Sequence, residues 1–256
     1  MAKTTIEWTD RTWNPIRGCC SRVELIESKL LEPLSWRKPC KIFANSMSDL
    51  FHEALSVADI ARVFGVMRRA HWHTYQVLTT RAERMEKVML EVLARVAASG
   101  NADPLPNVWL GVSVEDKTTA DERIPLLLQT PAVVRFISSE PLLGEIYLNF
   151  LQPNREVEVD ALRGTHGVPW DSRRGESFPT PHGGKNNRLD WVICGGESGP
   201  GARPMRPDWA RSLRYHCASA KVPFFFKQMC DLRGHKIPWD AVPEDLRVRE
   251  FPEVAR

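Results

Sequence analysis

The sequence predicts a parallel α/β fold, for which an incomplete barrel of six or seven strand–helix units suits the pattern best and a doubly wound sheet is the open alternative. Two observations predict this class: short runs that are apolar on successive residues, and amphipathic helical patterns between them. Strands that are buried on both faces have such continuous apolar runs. Most runs begin 25 to 34 residues after the previous one, the length of a strand and its crossover helix. The predicted strands are 41–47, 74–80, 108–114, 133–139, 190–196 and 222–228.

The first half of the chain supplies a further strand and two helices. A first strand is expected near 6–8 or 13–16, which would bring the sheet to seven strands. Ser56 precedes a helical pattern of Ile60, Val63, Phe64 and Met67, so we expect it to cap that helix at its N-terminus. The next helix starts near residue 82 and should end at Gly100. Its apolar stripe consists of Met85, Val88, Met89, Val92, Leu93 and Val96.

The second half contains two more helices and one long interval. Thr119 and Glu122 have capping-box spacing, and Pro125 should kink or restart the helix that they begin. Pro207 suits the first position of the last helix. Residues 154–188 are rich in Gly, Pro, Arg and small polar residues, so we expect an irregular inserted loop or lid. The prediction is one barrel domain, 1–256, that carries this insertion.

The composition limits the classes of function. The chain has 256 residues, 43% of them hydrophobic, and a formal net charge of +3, which gives no general electrostatic signature of nucleic-acid binding. Residues 1–10 have no signal-peptide core, and no apolar run is long enough for a membrane helix. We therefore expect a cytoplasmic protein without a membrane partner, whose six cysteines are mostly thiols.

Polar side chains follow almost every predicted strand. In parallel α/β folds the carboxyl ends of the strands carry the functional groups, so a small-molecule ligand is expected in the mouth of the barrel. Three carboxylates at these positions could act as acid–base groups, bind a divalent metal or hold an amine, and the sequence leaves these roles open. The alternative is that such residues only cap the helices that follow. The candidate catalytic residues are Glu115, Glu140 and Glu197, and the candidate binding residues are Asn45, Ser48, Asp49, Arg81, Ser113, Ser139, Gly195, Gly196 and Lys227.

Several long blocks resemble one family. The blocks are IEWTDRTWNPIRGC, PLSWRKPCKIFANSMSDLFH, QVLTTRAERM, LPNVWLGVSVED, ADERIPLLLQTPAVVRFISSEPLLG, DWVICGGESGPGARPM and PFFFKQ. Together they are similar to the phage-associated three-cysteine-motif proteins, a family of uncharacterised function. The resemblance implies a partial TIM-like (β/α)6–7 barrel of the radical S-adenosylmethionine (SAM) type, with a 4Fe-4S cluster on three cysteines and SAM as its ligand.

The cysteine motif departs from the family pattern. Cys19 corresponds to the first family cysteine and Cys20 lies at the junction, but the CxxC that should follow is missing. By resemblance Cys19 and Cys20 are the metal-ligand candidates, although two adjacent thiols do not supply a three-cysteine site. Two explanations are open: a shortened relative that has lost the cluster, or an internal loop that this sequence lacks.

Three functions remain open. The first is a radical-SAM-like barrel protein of unknown substrate, associated with phages or mobile elements. The second is a cluster-independent, metal-assisted hydrolase that uses the strand-end carboxylates. The third is a non-catalytic protein that binds nucleic acid through basic residues, which are Arg62, Arg68, Arg69, Arg173, Arg174, Lys185 and Arg188.

Overall fold

A computed structural model describes residues 10–17, 23–46, 48–97, 102–154, 157–167, 179–181, 187–231 and 233–253. Its strands are β1 (Arg11–Trp13), β2 (Ile16–Arg17), β3 (Glu24–Leu25), β4 (Lys41–Ala44), β5 (Thr74–Thr79), β6 (Val108–Ser113), β7 (Val134–Ser139), β8 (Glu158–Asp160), β9 (Thr165–Gly167), β10 (Pro179–Pro181), β11 (Trp191–Gly195) and β12 (Phe224–Gln228). Its α-helices are α1 (Glu27–Leu30), α2 (Glu32–Ser35), α3 (Val57–Arg69), α4 (Ala82–Val96), α5 (Lys117–Gln129) and α6 (Pro207–Ala220), and two 3-10 turns follow at Trp239–Ala241 and Glu244–Leu246.

The principal sheet confirms the predicted α/β class. It has seven strands in the order β1-β4-β5-β6-β7-β11-β12. All six predicted strands are present, each a little shorter than its apolar run, and the seventh is β1. The alternative position for the first strand, 6–8, lies outside the described residues. The chain divides into two compact units: unit 1 comprises 1–112 and 130–134, and unit 2 comprises 113–129 and 135–256.

Unit 1 contains β1, β4, β5 and β6, with helices α3 and α4 packed against each other. The Ser56 hydroxyl accepts a hydrogen bond from the Asp59 N–H at 3.1 Å, so the predicted cap of α3 is confirmed. The predicted apolar stripe of α4 is buried along its whole length. Helix α4 ends at Val96, with Ala97 as its last capping residue, and Gly100 lies outside the described residues.

Unit 2 contains β7, β11 and β12, which pair in parallel, and helices α5 and α6. Pro207 is the first residue of α6, as predicted. The predicted Thr119–Glu122 capping box is wrong, because Asp116 accepts the Thr119 N–H at 2.9 Å and the Thr119 hydroxyl accepts the Asp116 N–H at 3.1 Å. The helix is also unbroken through Pro125, and buried residues lie on both sides of the proline.

The inserted segment has more regular structure than the sequence predicts. Strands β8, β9 and β10 form an antiparallel sheet in the order β10-β9-β8, so the expectation of an irregular insertion is wrong for its described residues. An isolated antiparallel bridge joins Leu151 to Val159, which ties this small sheet to the chain that leads into it. Among the residues that the structure describes, no helix has the length and apolar character needed to cross a membrane.

Candidate functional site

The carboxyl ends of adjacent strands in unit 2 lie side by side. The segment after Glu140 is held to both of its neighbours, because the Leu142 N–H donates to the Gly195 carbonyl at 2.9 Å and the Leu143 N–H donates to the Glu115 carbonyl at 2.7 Å. Parallel pairing aligns the strand ends, and these backbone bonds extend that alignment into the loops. The residues that follow β6, β7 and β11 are therefore neighbours, as the sequence predicts for this part of the chain.

Glu140 and Lys227 form the least exposed carboxylate–lysine pair of this region. The Lys227 Nζ lies 2.7 Å from Glu140 Oε2, and their side chains are 26% and 18% exposed, respectively. The Glu140 Oε1 makes no hydrogen bond to any described residue. One carboxylate oxygen is thus bound to a cation while the other is available to a ligand.

The second carboxylate, Glu115, has an arginine beside it. The Arg123 Nη1 lies 3.3 Å from Glu115 Oε2 and donates to the Ser113 carbonyl at 2.8 Å. The Arg123 Nε is buried and has no hydrogen-bond partner within the described chain. Arg123 therefore fixes the end of β6 and neutralises Glu115, a role that the sequence analysis did not assign to it.

The third carboxylate, Glu197, closes its own loop. It accepts from the Arg203 backbone N–H at 2.8 Å, and its two oxygens each accept from the Arg203 guanidinium at 2.9 Å. These bonds lower the pKa of Glu197 to about 2. The Arg203 pKa is raised, chiefly by Glu197 and in smaller part by the charge of Glu115, so these two carboxylates lie within electrostatic range of one arginine. The arrangement gives Glu197 a structural role in the loop whatever else it does.

The remaining predicted residues of unit 2 are packed into the sheet. Gly196 donates to the Gln228 carbonyl at 2.9 Å, and a Cβ on Gly195 would meet the same carbonyl oxygen at 3.4 Å. Positive φ angles occur farther along the loop, at Gly199 (109°) and Gly201 (78°). Ser139 is completely buried, and its hydroxyl has no hydrogen-bond partner in the described residues.

The other predicted binding residues form a separate cluster in unit 1. Asp49 accepts from the Thr79 hydroxyl at 2.8 Å and from the Arg81 Nη1 at 2.8 Å. Arg81 also donates to Glu53 at 3.0 Å, so its charge is fully used inside this unit. The expectation that Arg81 joins the carboxylates of unit 2 in one mouth stays a prediction.

The loop after β4 holds Asn45 in an unusual conformation. Asn45 has a φ of 63° and is almost completely buried. Its amide nitrogen donates to the Ser48 hydroxyl at 2.9 Å, and Ser48 in turn donates to the Ile16 carbonyl at 3.2 Å. The Asn45 Oδ1 has no partner among the described residues. These contacts show that Asn45 and Ser48 build the loop, and they leave one acceptor unused.

The described residues contain no ligand set for a metal cluster. No group of three His, Cys, Asp or Glu side chains in them is arranged to hold a metal ion. Cys19 and Cys20, the predicted metal ligands, lie outside the described residues, on the chain between β2 and β3. The four remaining cysteines are free thiols. The described part of the chain thus does not fit an iron–sulfur cluster on its own.

Two of the basic residues considered for nucleic acid have internal partners. Arg62 binds both oxygens of Glu27, at 2.7 and 2.6 Å. Arg68 donates to the Val96 carbonyl at the end of α4. Of the insertion residues named for this role, Arg173, Arg174 and Lys185 lie outside the described residues.

Taken together, the fold and the site define an α/β protein that carries paired, partly buried charges at the carboxyl ends of parallel strands. A comparison with protein families matches residues 20–244 to the family described as Protein of unknown function (DUF5131). The match covers most of the chain, which therefore belongs to this family. Neither the curated proteins nor the solved structures give a significant match.

Proposed function

We propose that this protein binds a small zwitterionic molecule at the strand ends of unit 2, where Glu140 receives its ammonium group and Lys227 its carboxylate. The observation that carries the proposal is the 2.7 Å contact between these two half-buried side chains, Glu140 directly after β7 and Lys227 near the carboxyl end of β12, on either side of β11. Half-buried charges need partners. A zwitterion provides one for each of them when it displaces the pair, so neither charge is left alone in either state.

The unused Glu140 Oε1 supports an amine at this position. A carboxylate can accept several hydrogen bonds, and only Oε2 has a partner in the described chain. The other two carboxylates are less suited to exchange their partner for a ligand. Glu197 holds its loop together through hydrogen bonds to Arg203, and Glu115 is paired with an arginine that also binds the end of β6. They are proposed to set the charge of the surroundings.

The resemblance extends the proposal to a particular ligand and fold type. The aminocarboxylate of SAM has the charges that this pair would receive, and the quoted sequence blocks support a relation to radical SAM barrels of the TIM type. The resemblance is also the basis for the proposed association with phages or mobile elements, whereas the proposed cytoplasmic location rests on the composition of the sequence. No step through an iron–sulfur cluster is derived, because the described residues do not supply its ligands.

The test is calorimetric titration of the purified protein with SAM, S-adenosylhomocysteine and free α-amino acids. We expect one of these zwitterions to bind, and Glu140→Gln and Lys227→Met each to weaken that binding by at least about tenfold, as for loss of a charged hydrogen bond. Asp208→Asn is the matched control, because Asp208 also pairs with an arginine at 3.0 Å but is 70% exposed on α6. Equal affinity in all three variants, or no zwitterion bound by the folded protein, would contradict the proposal.

A further inference from the structure

A thiol and an imidazole meet at the amino ends of two neighbouring strands of unit 1. Cys40 comes directly before β4 and His73 directly before β5, and the register pairs Lys41 with Thr74. The two preceding residues are therefore brought side by side. Their Cys40 Sγ and His73 Nδ1 atoms are 3.3 Å apart, which is hydrogen-bond distance for sulfur.

A backbone carbonyl beside this pair fixes the tautomer of the imidazole. The His73 Nε2 lies 3.1 Å from the Pro33 carbonyl oxygen, and a carbonyl oxygen can only accept. The Nε2 atom is therefore the protonated nitrogen of the neutral ring, and the lone pair of Nδ1 faces the Cys40 thiol. His73 is 1% exposed, and burial lowers its pKa, which keeps the ring neutral and able to accept a proton. A base oriented by a third group beside a nucleophile is the arrangement used in nucleophilic catalysis.

A buried hydroxyl without a partner lies next to this pair. Tyr75 is completely buried, and its hydroxyl makes no hydrogen bond to any residue that the structure describes. Its ring contacts that of His73, with 6.1 Å between centroids at 90°. Burial raises the pKa of Tyr75, and the charge of Cys40 adds to that rise. The hydroxyl and the thiol therefore interact electrostatically. An unsatisfied buried donor is costly unless a bound group completes it.

A positively charged side chain, Arg11, lies within electrostatic range of Cys40. The Arg11 guanidinium stacks on the Trp36 ring at 4.8 Å from its centroid. Burial raises the pKa of the partly exposed Cys40 thiol, whereas the positive charge of Arg11 opposes that rise and the charge of Asp10 adds to it. The site therefore combines a nucleophile, a base, an unsatisfied donor and a positive charge.

We propose that Cys40 is a modification site for small carbon electrophiles that carry a carboxylate. The sulfur attacks the electrophilic carbon, the S–C bond forms, the leaving group departs with its electron pair, and the thiol proton passes to His73 Nδ1. Arg11 attracts the carboxylate, and the Tyr75 hydroxyl donates a hydrogen bond to it. This site lies in unit 1 and is independent of the ligand proposed for unit 2.

The test is alkylation of the whole folded chain by iodoacetate or by neutral iodoacetamide, with each cysteine followed by peptide mass spectrometry. Cys230 is the internal control, because it is also partly exposed and free but has no hydrogen bond from its sulfur to an imidazole among the described residues. At pH 7 Cys40 should react with iodoacetate at least about tenfold faster than Cys230, a margin below the roughly 100- to 10,000-fold that a positioned base typically supplies. Its rate should change little with pH between the His73 and Cys40 pKa values, whereas the Cys230 rate should rise steadily with the thiolate fraction.

Three variants separate the contributions. Arg11→Gln, at an exposed position, should lower the preference for iodoacetate over iodoacetamide at Cys40 by about fivefold, as for one nearby charge in water. Tyr75→Phe should slow alkylation by iodoacetate without lowering stability, because the hydroxyl that it removes has no partner. His73→Gln should abolish the flat part of the pH profile. Equal rates at Cys40 and Cys230 in the wild type, or an unchanged preference in Arg11→Gln, would overturn the proposal.

Discussion

The Glu140–Lys227 pair makes a quantitative prediction about stability. Glu140→Gln and Lys227→Met each remove one charge of the pair and leave the other charge half-buried. The double variant removes both charges. The difference between the double variant and the sum of the single variants is the coupling free energy of the pair.

The structure bounds this coupling. At 2.7 Å the gross attraction is about 6 kcal/mol for an effective dielectric constant near 20. Desolvation and the ordering of the lysine side chain offset most of it, since exposed pairs retain only about 0.2–1 kcal/mol and breaking a buried pair costs about 3–5 kcal/mol. With side chains 18% and 26% exposed, Glu140 and Lys227 lie between these limits, and we expect a coupling of about 1–2 kcal/mol.

Urea unfolding of the four proteins, followed by circular dichroism, measures the coupling. The same cycle on Lys87 and Glu83, whose side chains are 64% and 70% exposed on α4, is the control and should give about 0.3–0.5 kcal/mol. High salt should reduce the control coupling proportionally more than that of Glu140 and Lys227. A Glu140–Lys227 coupling no larger than that of the control would refute the argument that this pair is partly desolvated.

Three further predictions concern single positions. NMR titration of Glu197 should give a midpoint near its pKa of about 2, against an ordinary value of 4.5, and Arg203→Gln should move this midpoint back up. The contribution of Glu197 to stability is complete above pH 4.5 and is lost as the pH falls towards 2. Ser56→Ala should lower the free energy of unfolding by about 1 kcal/mol through loss of the α3 cap, and a urea midpoint equal to that of the wild type would contradict this. Gly234→Ala should destabilise by at least about 1–3 kcal/mol, because φ is 80° and the added Cβ would lie 2.4 Å from a carbonyl oxygen. The matched change Gly65→Ala, with open space around the new Cβ in α3, should stabilise by about 0.5–1 kcal/mol, and thermal melts compare the two.

The principal strands could be predicted because burial on both faces demands apolar residues in succession. The run 222–228 shows this, since Phe224, Phe225 and Phe226 are all buried in β12. The antiparallel sheet of the insertion lacks this signal. Its strands β9 and β10 contain Gly and Pro and few apolar residues, so backbone pairing defines them and no hydrophobic pattern marks them. The final segment also pairs with β12 through its backbone, because the Phe226 N–H donates to the Val248 carbonyl and the Glu250 N–H donates to the Phe224 carbonyl.

The start of α5 could be predicted only to within three residues, unlike the starts of α3 and α6. A capping box requires a polar side chain and a second one three residues later, and both Asp116–Thr119 and Thr119–Glu122 meet that requirement. Tertiary contacts decide between them. The Leu143 N–H holds the Glu115 carbonyl, which fixes the chain just before Asp116 and makes it the cap. The sequence contains no sign of that bond, because its partners are 28 residues apart.

The candidate site illustrates which part of a site strand alignment can predict. Parallel neighbours begin and end together, so residues at the carboxyl ends of the strands are expected to meet. Glu140, directly after β7, and Lys227, near the end of β12, do so across 87 positions of sequence and across the intervening strand β11. Which carboxylate meets which cation depends on side-chain reach and could not be predicted. The same alignment applies to the amino ends, where Cys40 and His73 each stand one residue before a paired strand. Because functional groups of parallel α/β folds usually lie at the carboxyl ends of the strands, the fold class alone does not predict a reactive pair at the amino ends. The strand register nevertheless brings a thiol and an imidazole together there, and the alkylation experiment tests whether that alignment produces a reactive site.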